Sequence, residues 1–318
     1  MILLNYQSYS QSIFHQKLNL MGSRFDITVI ASDSILGNEY ITLAINEIER
    51  IEKIISSWDK TSETSEVSRN AGIKPVKVSK ELFELIARSL VISKLTDGAF
   101  DISYAAMDPI WKFDGSMSEI PSKEIIKKSI EKVGHQHILI NKENQTVFLE
   151  LKGMKIGFGG IGKGYAADKA KDLLISKGVK AGIINASGDM NTWGRQPNGT
   201  EWTVAITNPM DKNKAFALLP ISDKAIVTSG NYEKFVTFNN TRYSHIINPK
   251  TGYPSSDIIS VTVLALSAEL ADALATSVFV MGVEIGINRV NQIPNVECII
   301  IDDKGNIHKS KNIKINEK

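Results

Sequence analysis

The chain has 318 residues and carries 37 basic against 35 acidic side chains, a net charge of +2, enough length for a sizeable core and too little charge for an electrostatic claim on nucleic acid. Its single cysteine, Cys298 in the apolar run ECIII, excludes a disulfide framework and reads as a buried structural thiol. No apolar run reaches the roughly 18 residues that a membrane span needs.

Residues 1–16 read as a flexible lead-in; they lack the basic start and long apolar run of an intact signal peptide. Either the protein stays inside, or a targeting segment is absent from this chain. A strand is expected from Met21, where Met21, Ser23, Phe25, Ile27 and Val29 alternate. Ile41, Ala44, Ile45, Ile48, Ile51 and Ile55 follow at helical spacing, and TSETSEVSRNAG reads as a polar loop. Ser79 can cap a helix that runs through Leu90 and stops at Asp97-Gly98.

A short helix is expected to open at Pro121-Ser122, before three strands, HILI, TVFLEL and KIGF. Gly162 to Lys177 reads as a helix ended by Gly178, and GIINA as a buried strand. The 200–265 region is rich in strands. A helix from Ser267 or Ala268 to Met281, a shorter helix and the strand ECIIID complete the pattern. There is no sustained βαβ alternation. The expected fold is therefore α+β: a single compact domain over 17–310, mixed or antiparallel strands with flanking helices, and a basic tail at 311–318.

The stretch KIGFGGIGKGYAAD, Lys155 to Asp168, overlaps two phosphate-binding patterns and satisfies neither. Gly164 follows Lys163 where a P-loop requires Ser or Thr for Mg²⁺. The acidic residue that a Rossmann dinucleotide fingerprint requires about 20 residues on is missing as well. The physical consequence survives both failures. A strand, four glycines in six residues and a helix start direct backbone N–H groups and a positive dipole end at one point.

Four further stretches carry chemistry. SHIINPKTGYP places His245 before a rigid Pro-Lys-Thr-Gly turn. TSGNYEKF and NASGDM are strand ends rich in small polar residues. In ELADALATSVFVMG, Asp272 and Thr276 are four apart and share one face of an almost wholly apolar helix. Asp272 could be a dipole partner there and Thr276 a back-bonded hydroxyl. The sharper reading is a hard-cation site of one carboxylate, one hydroxyl and carbonyls from the glycine loop, which suits Mg²⁺ or Ca²⁺.

Together with MGSRFDI, SSWDKTSETSEVSRNAG and DGAFDIS, these motifs occur in an order that resembles the ApbE family, the FAD:protein FMN transferases, over roughly residues 20–305. The resemblance implies a Mg²⁺-dependent enzyme that takes FAD as substrate, releases AMP and links FMN through a phosphoester to a Thr or Ser of a target flavoprotein. Typical targets belong to ion-pumping redox complexes. Some relatives hydrolyse FAD to FMN and AMP instead, and a non-catalytic FAD-binding protein is the remaining alternative.

By position, the resemblance implies metal contacts at Gly160, Asp272 and Thr276. It implies nucleotide contacts at Met21, Trp58, Ala99, Phe100, Asp101, Lys163, Asp189, Ser229, Gly230, His245 and Ile246. Asp272 and His245 are the candidate catalytic groups, with the proton acceptor left open between them. Three departures stand out: Gly157-Phe158 where the family commonly has Asp-Leu, Ser187-Gly188-Asp189 for Gly-Gly-Asp, and Asn248 for the Asp of HIIDP. The family generally works at the outer face of the inner membrane, so a periplasmic location is the expectation.

Overall fold

In the computed structural model, residues 11–114, 116–208, 211–231, 235–238 and 241–313 are described. The first hairpin pairs β1 (Ser12–Leu20) with β2 (Ser23–Ala31), and α1 (Ser34–Ile55) and α2 (Glu63–Arg69) follow. Asp33 caps α1 by accepting from the N–H groups of Ile35 and Leu36, both at 3.0 Å. Ile41, Ala44, Ile48, Ile51 and Ile55 lie buried along one stripe of that helix, at the expected spacing. The next elements are β3 (Val76–Lys77), α3 (Lys80–Leu95), α4 (Lys123–Ser129), β4 (Ile138–Asn141) and β5 (Thr146–Leu149). After α5 (Gly162–Ser176) the chain is mostly strand: β6 (Gly182–Ala186), β7 (Asp189–Trp193), β8 (Trp202–Asn208), β9 (Asp211–Ile221), β10 (Ala225–Gly230), β11 (Phe235–Phe238), β12 (Thr241–Ser244) and β13 (Ile258–Ala265). The last elements are α6 (Ala268–Met281), α7 (Val283–Val290), β14 (Glu297–Asp302) and β15 (Ile307–Lys309).

One eight-stranded sheet in the order β1-β2-β6-β7-β10-β13-β14-β15 organises these elements, and its pairings are antiparallel. The α+β reading stands, and the glycine loop has no parallel βαβ unit around it. Strand alternation divides the core. Val227 of β10 and Ile300 of β14 join the main cluster with α1, α5 and α6, while their neighbours Ile226 and Ile299 face the opposite way and meet Trp202, Val204 and Leu219 of the β8–β9 hairpin.

Four local expectations need correction. Residues 12–16 are not lead-in but the first half of β1, whose mostly exposed side chains left little periodicity to read. The TSETSEVSRNAG stretch contains α2, capped by Ser62 and anchored by buried Thr64 and Val67. Residues 155–158, KIGF, form no strand; the Gly157 N–H instead donates to the Ile102 carbonyl at 2.8 Å. The basic tail begins inside the fold, because the Lys311 N–H donates to Asn291 Oδ1 at 2.9 Å and Ile313 packs on the smaller core cluster. Residues 1–10 and 314–318 lie outside the described residues.

Candidate active site

α5 and α6 cross so closely that a Cβ at Gly164 would stand 2.2 Å from the Ala268 carbonyl oxygen; only glycine fits there. Asp168, one turn further along α5, ties the two helices together. Its half-buried carboxylate accepts from the Ser267 hydroxyl (2.8 Å) and from the N–H groups of Ala268 (2.8 Å) and Glu269 (3.0 Å), capping α6 from outside. The start of α5 and the face of α6 bearing Asp272 and Thr276 are thereby held in one register.

These two helix faces form the floor of a cavity of about 690 Å³. Its walls come from distant parts of the chain: the 99–107 segment, the 157–163 loop, the β6–β7 turn, the end of β10 and the 245–249 loop. The 245–249 loop is anchored from behind. Asn248 Oδ1 accepts from the Lys250 N–H at 2.9 Å, and the Trp111 indole donates to the Gly252 carbonyl at 2.8 Å. Asn248 thus supplies the turn-closing acceptor from a neutral side chain.

Twelve of the fourteen nominated residues line this cavity: Ala99, Phe100, Asp101, Gly160, Lys163, Asp189, Ser229, Gly230, His245, Ile246, Asp272 and Thr276. Asp101 also has a structural role. Its carboxylate accepts from Ser103 N–H (2.8 Å), Ser103 Oγ (2.6 Å) and His135 N–H (2.6 Å), which fixes the wall segment. Met21 stands behind the lining, its Cε 3.8 Å from where a Gly162 Cβ would be, in a two-residue hairpin turn with φ of 49°. Trp58 does not line the cavity. It is 92% exposed, in the loop whose Ser57 hydroxyl lies 3.5 Å from where a Gly157 Cβ would be. The exposed ring suits stacking, but it stands at the rim.

The electrostatics converge on Asp272. Lys163 is ion-paired with Asp189 in the cavity lining. Asp272 is 4% exposed and receives one hydrogen bond, from the Gly164 N–H at 3.2 Å. Burial, and then the charge of Asp189, push its carboxyl well above the usual carboxylate range, against the pull of Lys163. The Thr276 hydroxyl lies 3.2 Å from the position a Cβ would take on Gly160. A desolvated carboxylate beside a hydroxyl and a glycine carbonyl is a fitting cradle for a hard divalent cation. Among the described residues, no group of three or more His, Cys, Asp or Glu gathers as a metal site. The fit therefore rests on one carboxylate with neutral oxygens, the kind of set that suits Mg²⁺ completed by water and phosphate oxygens.

Tyr104, Met107, Ser187 and Thr228 also line the cavity; Ser187 and Thr228 stand in the flagged NASGDM and TSGNYEKF stretches but were not nominated singly, and sequence reasoning missed Tyr104 and Met107. Ser187 carried a signal in its two-residue Ser-Gly turn, where it adopts φ of 58°. Tyr104 carried none beyond its place after DGAFDIS.

With this geometry in place, similarity decides the family. The profile of the ApbE family matches residues 21–300. The chain belongs to the ApbE family. Among curated relatives, the FAD:protein FMN transferase of Klebsiella pneumoniae (strain 342) is 28% identical over 284 residues, 89% of this chain and 87% of the relative. The one from Buchnera aphidicola is 33% identical over 78% of this chain and 76% of its own length. Among solved structures, the ApbE protein of Thermotoga maritima superposes with a TM-score of 0.85 at 28% identity, covering 94% of this chain and 97% of that one. The flavin transferase ApbE of Vibrio cholerae gives 0.82 at 28% identity, covering 95% and 98%. The chain's curated relatives are FAD:protein FMN transferases, and it is an enzyme of the transferase type.

Proposed function

We propose that the chain transfers FMN from FAD to a Thr or Ser hydroxyl of a target flavoprotein, with release of AMP and dependence on Mg²⁺. The observation that carries this reading is the meeting, in one cavity, of an anion-seeking end and a cation-seeking end. The α5 N-terminus and Lys163 favour phosphate, while Asp272, Thr276 and the Gly160 carbonyl favour a hard cation. A pyrophosphate carrying Mg²⁺ matches both. Bound there, Mg²⁺ would offset negative charge on the pyrophosphate.

The chain's own residues orient the substrate and move the proton. The acceptor oxygen bonds to the FMN phosphorus as the bond from that phosphorus to the AMP oxygen breaks, and the acceptor hydroxyl loses its proton. Asp272 lies on the cavity floor and His245 is exposed at its rim. An acceptor presented by another protein arrives from the rim, so His245 takes the proton and Asp272 holds the cation. Ala99, Phe100 and Ile246 give the nucleotide an apolar wall.

Hydrolysis of FAD by the same site is the rival reading, with water in place of the acceptor hydroxyl. Chromatography of a reaction holding FAD, Mg²⁺ and an acceptor domain separates the two. AMP in equal amount to protein-bound flavin supports transfer. AMP with only free FMN contradicts it. A periplasmic location is proposed from the family resemblance and is tested by fractionating cells that produce the full-length gene product. Among the described residues, no helix is long and apolar enough to cross a membrane.

A further inference from the structure

Tyr104 occupies the cavity wall without a structural reason to be a tyrosine. It sits in the short 3-10 turn Ile102–Ala106, which Asp101 caps and the Gly157 N–H braces from the neighbouring loop. The residue is 41% exposed, unusual for a large aromatic, and it belongs to the cavity lining.

The hydroxyl rests on the glycine loop itself. A Cβ added at Gly159 would stand 2.3 Å from Tyr104 Oη but 3.5 Å from Cζ, so the clash is with the oxygen alone. Tyr104 Oη therefore lies against the Gly159 backbone. A phenol has one proton to give. Among the described residues, no hydrogen bond takes the Tyr104 proton. The adjacent residue is Gly160, then comes the start of α5, so the hydroxyl stands where an anionic oxygen is favoured.

We propose that the Tyr104 hydroxyl, resting against Gly159, donates a hydrogen bond to a phosphate oxygen of the bound dinucleotide. This rests on the reading of FAD as substrate. It makes Tyr104 a binding residue of the reaction and explains why Gly159 must lack a side chain.

The test is a titration of FAD into the full-length protein with EDTA present, so that binding is read without turnover. Tyr104→Phe should raise the Kd about 5- to 20-fold, the loss of one hydrogen bond to a charged group, with an unchanged melting temperature. Gly159→Ala should raise it by a similar factor in the wild-type background by displacing the oxygen. In the Tyr104→Phe background, Gly159→Ala should add little, because the nearest remaining ring atom is at ordinary contact distance. A Tyr104→Phe variant that binds FAD within twofold of wild type overturns the role, as does a double variant whose two losses multiply. Wild-type protein that does not bind FAD would overturn the proposed function, and this role with it; normal wild-type binding with no loss in the variants would overturn this role alone.

Discussion

Asp272 combines near-complete burial, a single hydrogen bond and a carboxyl held above its ordinary range, three properties that are hard to reconcile in a residue with only a structural role. Removing its charge should therefore relieve the fold and impair the chemistry. Asp272→Asn should keep or slightly raise the melting temperature, abolish stabilisation by added Mg²⁺, and cut transfer by roughly a hundredfold or more, a few kcal/mol of charge stabilisation. Thermal melts with and without Mg²⁺, beside rate measurements, check all three. Its helix neighbour illustrates how far sequence carries at this scale. The i, i+4 spacing of Asp272 and Thr276 was legible because a carboxylate in an apolar helix demands a partner. Tyr104 and the rim position of Trp58 were not, since each depends on which distant loop the chain folds against.

At the scale of elements, α5 and α6 carry the site, and their junction is held by a glycine and a carboxylate. Gly164→Ala must push the helices apart against the Ala268 carbonyl. It should cost about 1–3 kcal/mol, the usual cost of overpacking, with a parallel loss of transfer; denaturant titration gives the first and rates the second. A second junction joins α1, α3 and α5. Arg50 of α1 meets Glu81 of α3 at 2.7 Å, and the Tyr165 hydroxyl of α5 donates to Glu81 at 2.7 Å. The Arg50 guanidinium, helped by Tyr165, holds the Glu81 carboxyl below its ordinary 4.5. A lowered folded-state value contributes stability that is full above 4.5 and fades as pH falls through the folded value. Glu81→Gln should thus be less stable than wild type at neutral pH, by about 1 kcal/mol or less because Arg50 is 46% exposed, and the gap should narrow as pH falls below 4.5. Urea midpoints measured from pH 3 to 7 check it. The buried helices α1, α3, α5 and α6 were readable from the sequence, since their apolar spacing and caps are local signals. β1 and α2 were not: an edge strand lacks one clear face, and a seven-residue helix has too few turns to show a period.

For the whole molecule, the cavity is a meeting place of segments from residue 23 to residue 276, so ligand binding and global stability are linked. FAD with Mg²⁺ at one hundred times the apparent Kd should stabilise the protein by about 2.7 kcal/mol, seen as a rise of several degrees in melting temperature. EDTA should remove the part that depends on the cation, and Asp272→Asn should lack that part from the outset. The ordered motifs pointed to the fold because several of them, the β6–β7 turn, the end of β10, the start of α5 and the Asp272 face of α6, come together in this one cavity.

The central claim, that this cavity moves FMN onto another protein, is tested most directly by the intact mass of an acceptor domain bearing a single Thr. It would be incubated with the protein, FAD and Mg²⁺. The account predicts a gain of one FMN mass on the acceptor, absent with EDTA, absent with Asp272→Asn and absent when the acceptor Thr is replaced by Val. An acceptor of unchanged mass, in a reaction where the same enzyme has released AMP and free FMN, would contradict it.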